Sequence, residues 1–194
     1  MSVQQGSRTG EGYGKEVFGL GYHFYGLTTR NKLWYAYASG LTPGTAIGTA
    51  APLAVYNRAA SGVNVVIVWT MIGYQSGTMG AGFFVWCINQ NLADAVPTGT
   101  AVTLKTGQVA SGVSPVGAAA VSTATLSVTP IGIRPAGSIG PILATTPVQG
   151  WQLEDLVDGA IVLPPGASTS LQFVGTAGTT PNVAIGIALT EEPL

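Results

Sequence analysis

The chain has 194 residues, of which 8% are Asp, Glu, Lys or Arg, and a formal net charge of −1. An average soluble domain carries about 25% charged residues, so this chain offers no electrostatic hold on nucleic acid or on an anionic membrane. A single cysteine, Cys87, excludes an intramolecular disulfide framework, and with the single histidine, His23, it cannot supply the usual ligands of a zinc site.

The mean hydropathy is positive, +0.40, which raises the question of a membrane span. The longest uncharged apolar stretch, residues 63–88, is interrupted by Gly73, Gln75, Ser76, Gly77, Gly80 and Gly82. It reads as two strands around a turn at 74–80 rather than as one helix. The N-terminal residues show no apolar run resembling a signal peptide. The expectation is a soluble protein made in the cytoplasm.

Residues 1–50 differ in composition from the rest of the chain. Glycines at 6, 10, 12, 14, 19, 21 and 26 argue against a helix, since each interior glycine costs about 0.5–1 kcal/mol relative to alanine. Aromatics crowd the same stretch: Phe18, Tyr22, Phe24, Tyr25, Trp34, Tyr35 and Tyr37. Four of the seven basic residues, Arg8, Lys15, Arg30 and Lys32, fall there as well. This composition predicts an extended N-terminal arm over residues 1–50 that adheres through its aromatic side chains, those seven being the candidate interface residues. The competing reading places them in the domain's own core.

From residue 51 onward the pattern is strand, turn, strand. Residues 52–56 are a short apolar run, 64–74 and 82–88 are rich in β-branched and aromatic side chains, and 101–106 and 121–128 alternate with a period of two. Residues 131–140, punctuated by Pro135, Gly137 and Gly140, read as a loop. Residues 151–157, with Gln152, Leu153, Glu154 and Asp155, form the one short helical candidate. Strands are expected again at 160–163, 169–174 and 183–189, and Pro165-Gly166 is a strong turn signal between the first two. Roughly eight strands with little helical periodicity predict an all-β, jelly-roll-like antiparallel sandwich over residues 51–194.

The groups that catalysis needs are scarce. His23 lies in the aromatic arm and meets no nucleophile elbow. Cys87 sits within Phe83-Phe84-Val85-Trp86-Cys87-Ile88 and reads as a buried structural thiol. Glu154, Asp155 and Asp158 could offer oxygens to a cation but lack the spacing of a calcium loop. Glu191 and Glu192 near the C-terminus read as solvated charge. The sequence therefore predicts no enzyme, no metal and no cofactor.

Two segments carry a resemblance: Val157-Asp-Gly-Ala-Ile-Val-Leu-Pro-Pro-Gly-Ala-Ser-Thr-Ser-Leu171, and Ile185-Gly-Ile-Ala-Leu-Thr-Glu-Glu-Pro193. Their proline-glycine turn and closing strand resemble the last strands of small jelly-roll virion proteins of tailed bacteriophages. Residues 52–57, 64–67 and 73–80 are similar in style, so the likeness spans residues 50–194 and leaves the arm outside it. The resemblance implies a capsid decoration (cement) protein on the virion exterior, a homotrimer whose partners are its own copies and the major capsid protein. An arm embracing a neighbouring subunit or the capsid floor fits that implication. The alternative is a receptor-binding tip or head or tail fibre domain, recognising carbohydrate through aromatics such as Trp34 or Tyr35.

Overall fold

Period-two alternation builds almost all of this molecule. The computed structural model describes residues 27–28, 30, 32–89, 96–108, 112–143 and 151–194. Among them run the strands β1 (Leu33–Leu41), β2 (Ala50–Asn57), β3 (Val63–Ser76), β4 (Gly82–Asn89), β5 (Thr98–Val102) and β6 (Lys105–Thr106). They are succeeded by β7 (Ala118–Thr125), β8 (Ile131–Ile139), β9 (Gln152–Leu163), β10 (Ser168–Gly175) and β11 (Asn182–Pro193).

The strands form two sheets, ordered β6-β1-β11-β3-β9 and β5-β7-β2-β10-β4-β8. Four antiparallel pairings nest inside one another: β1 with β11, β2 with β10, β3 with β9, and β4 with β8. One long hairpin folded so that successive pairs fall in alternate sheets is a jelly roll. The segment between β4 and β8 adds β5, β6 and β7, which lengthen both sheets on the side away from β8 and β9.

The inner faces interlock. Leu53, Phe84, Trp86, Leu171 and Phe173 from the β2 sheet meet Ile67, Ile72, Ile185 and Ile187 from the β1 sheet, all of them buried. Each such side chain contributes about 1.5–3 kcal/mol on burial. Phe84 also packs its ring against Phe173, at a centroid distance of 5.2 Å.

The turn after β9 is the one expected. The Ala167 N–H donates to the Pro164 carbonyl at 3.0 Å, and Gly166 takes φ +84° at the position where a type II turn requires it.

Three expectations need correction. The sandwich begins at Leu33 rather than at residue 51, because β1, inside the stretch read as an arm, is hydrogen-bonded between β11 and β6. Residues 131–140 are not a loop but the edge strand β8, where Pro135 costs no ladder bond on the open side. Its Gly137 makes room for the Leu153 side chain, with which a Cβ would collide. Residues 151–157 are not helical but open β9, in which Leu153, Asp155 and Val157 point inward. The apolar spacing 153, 156, 157 imitated a helix because the inward position between Leu153 and Val157 is an aspartate.

Candidate functional site

The sequence candidates separate by face. Phe18, Tyr22, Phe24, Tyr25 and His23 lie outside the described residues. Trp34 is a core residue, 4% exposed, and its indole N–H has no hydrogen-bond partner among the described residues. It is therefore not an exposed contact. Alternation along β1 sends Tyr35 and Tyr37 the other way, onto the outer face, where Tyr37 is 62% exposed. The burial of Tyr35 raises its phenol pKa by desolvation.

That outer face is apolar across the sheet. Register aligns Leu33, Thr190, Val66 and Val162 in one row, and Tyr35, Ala188, Trp69 and Leu156 in the next. A third row holds Tyr37, Gly186, Met71 and Glu154, the only charge among these twelve positions. An antiparallel sheet with one wet face normally alternates polar residues there. Down the middle of the face runs β11, whose small residues Ala188 and Gly186 stand opposite larger side chains of β1 and β3. At one end of it Leu33, Val68 and Ala188 form a satellite cluster against which Leu27, Tyr35 and Trp69 pack.

The outer face of the β2 sheet is also built from small and apolar residues, with Cys87, Ser170, Ala54 and Val121 in one row. This face is covered. Gly48, in the β1–β2 loop, exchanges two hydrogen bonds with the Gln172 side chain, at 2.8 and 2.9 Å. Leu126 closes a cluster with Ala51, Ala54, Val121 and Ala124. Beneath that cover Cys87 is buried as expected, and desolvation pushes its thiol up to about 11.

The acidic residues do not converge. Asp155 faces the core, where its carboxylate accepts from Trp86 Nε1 at 2.7 Å and from Arg134 at 2.6 Å. Glu154 faces outward and accepts from the Gln152 amide, while Asp158 sits at a bulge with φ +46°. No group of three or more His, Cys, Asp or Glu that could hold a metal ion occurs among the described residues. Glu191 is not solvated, as the sequence suggested, but buried. Its carboxylate accepts three backbone N–H groups, from Val116 at 2.9 Å and from Gly117 and Ala118 at 2.7 Å each. Three successive N–H groups make a concavity suited to an anion, and here the chain fills it itself. No sequence signal marked this residue.

A cleft of about 320 Å³ lies at one end of the sandwich, lined by residues such as Pro43, Thr45, Met79, Phe173, Thr176 and Pro181. None of its lining side chains titrates, so it offers shape and apolar contact rather than acid–base chemistry. No helix among the described residues is long and apolar enough to cross a membrane. Neither a protein-family model, nor a curated protein, nor a solved structure matches this chain.

Proposed function

We propose that this chain is a non-enzymatic structural protein of a virus particle, a jelly-roll subunit that decorates the exterior of a phage capsid. In this reading it acts as a homotrimer and bridges major capsid protein subunits. The observation that carries the reading is the β8–β9 side of the sandwich. Among the described residues β8 pairs only with β4 and β9 only with β3, so two edge strands lie open side by side. Native edges are usually blunted by charge. On β8 the one charged residue, Arg134, turns inward onto Asp155, and Ile131 and Ile133 stay 52% and 43% exposed. Leu156 and Val162 on β9 are exposed as well. An edge that leaves Ile131, Ile133, Leu156 and Val162 exposed suits a protein that buries it against copies of itself, because obligate interfaces are the apolar ones.

Electron microscopy of intact particles tests the location. Density for the chain at every local threefold of the capsid is the expected result. A few copies at the tail or the vertices would replace this role with that of a fibre or receptor-binding tip, and no copies on any particle would remove the virion from the reading.

A further inference from the structure

The cleft at the end of the sandwich is built by three loops whose backbones hold one another in place. The Thr78 N–H donates to the Thr179 carbonyl at 3.0 Å, the Thr176 N–H to the Ala81 carbonyl at 3.0 Å, and the Gly175 N–H to the Thr45 carbonyl at 3.1 Å. Gly77 and Gly178 bring the β3–β4 turn and the β10–β11 loop so close that a Cβ at either would strike the backbone opposite, at Thr180 and Thr78 respectively. Thr180 itself lines the cleft and takes φ +47°, a left-handed conformation that a β-branched residue keeps only where its surroundings impose it. The cleft is therefore a preformed shape.

We propose that this cleft binds a small uncharged molecule with an apolar body and a single hydroxyl or carbonyl group. Its volume, about 320 Å³, stands at the lower end of the range of small-molecule sites, which begins at about 300 Å³. Buried Met79, Phe173 and Pro43 supply apolar contact, and the exposed Thr42, Thr45, Thr176 and Thr180 carry the polar side-chain atoms of the lining. Apolar walls with a few polar groups are the usual make-up of a ligand pocket.

The same lining selects against other classes of ligand. No charged residue lines the cleft, so an ion would shed its hydration with nothing to replace it. A sugar would bury several hydroxyls against Met79, Phe173 and Pro43, whose side chains pair with none of them, and a polar group buried without a partner is costly. Binding here does not depend on the chain's belonging to a particle, and its failure would leave the assembly reading intact.

The test reads the methionine methyls of the full chain by NMR after ¹³C-methyl labelling. The chain has three methionines, of which Met79 lines the cleft and Met71 is exposed on the outer face of the β1 sheet. Met71→Leu and Met79→Leu assign the signals, so Met79 reports on the cleft and Met71 serves as the control. Cyclohexanol should shift Met79 saturably, with a dissociation constant of about 1 mM, and leave Met71 unmoved. Cyclohexylammonium and cyclohexanecarboxylate, which share its ring, should bind at least about tenfold more weakly, as should methyl glucoside. Ala177→Trp, at an exposed position of the lining, should weaken cyclohexanol at least about tenfold and leave the thermal midpoint unchanged. The proposal is overturned by an unsaturable Met79 shift, by a Met71 shift of equal size, or by charged probes or glucoside that bind as well as cyclohexanol. Full affinity in Ala177→Trp would overturn it too.

Discussion

The indole N–H of Trp86 donates to the carboxylate of Asp155 at 2.7 Å, joining β4 of one sheet to β9 of the other across an otherwise apolar core. The second carboxylate oxygen takes the Arg134 guanidinium from β8 at 2.6 Å. Three strands from two sheets therefore meet on one side chain. Bonds of this kind are directional, and aliphatic contacts are not. The trio fixes how the sheets are set against each other in a way that leucines could not.

Removing the carboxylate leaves a buried indole N–H and a half-buried cation unpartnered. Losses of about 3–5 kcal/mol accompany the breaking of a buried pair. Arg134 is 33% exposed and can turn to water, so Asp155→Ala should cost about 3 kcal/mol, at the low end. Asp155→Asn keeps one acceptor and should cost less. Urea denaturation measures both, and equal losses would mean that the charge carries the whole effect and a neutral acceptor recovers none of it.

At the other end of β9's sheet, Glu191 holds the start of β7 through three backbone N–H groups. Glu191→Gln turns an amide NH₂ toward one of these donors and should cost about 1–3 kcal/mol. Glu191→Ala strands all three and should cost more. Hydrogen exchange at residues 116–118 should accelerate in both variants, well beyond the rise at the sheet centre. Exchange that rises uniformly would mean that the latch is not local.

Cys87 gives a pH signature. An unfolded thiol releases its proton near its ordinary 9.0, whereas the folded one holds it to about 11. Between those values the folded state binds more protons, so its stability falls as pH rises. The raised Tyr35 phenol adds a loss of the same sign above its ordinary 10.0. Cys87→Ala should flatten the decline between pH 9 and 11, as measured by denaturant titration at each pH. Near neutral pH the native thiol should also resist a disulfide reagent that reacts freely in urea, because thiolate is the reacting form.

Association is tested at the open edge. The full chain should sediment as a trimer at micromolar concentration, and Ile133→Lys, which places a charge on β8, should shift it towards monomer. A wild-type chain that sediments as a monomer would count against assembly through this side.

The sequence disclosed most of the architecture, and its failures have physical causes. Runs such as Val63–Ile72 and Phe83–Ile88 are β-branched and aromatic, and they form central strands. The strand β8 hid because the residues that suit an edge, Pro135, Gly132 and Gly137, are also the residues of loops. The first half of β9 hid because Asp155 occupies an inward position, satisfied by partners 21 and 69 residues away in the chain. Glu191 misled for the same reason, since its partners lie more than 70 residues earlier. In β1 the alternation of Leu33 to Tyr37 was legible, but which face would be core depended on β11 and β6. Trp34 was therefore grouped with Tyr35 and Tyr37, although it points the opposite way.

The nesting of first strand with last sets the order in which this protein can come into being. β11 follows every other described strand in the sequence, yet it lies in the interior of its sheet, with β1 on one side and β3 on the other. During synthesis β1 and β3 must wait for it, separated by the gap it will fill, while more than a hundred residues are added. Contacts so distant in sequence make folding slow and leave apolar edges bare in the meantime. The nascent chain is thus a natural client for a chaperone until β11 has left the ribosome, and a truncation that removed β11 would empty the centre of a sheet rather than trim its edge.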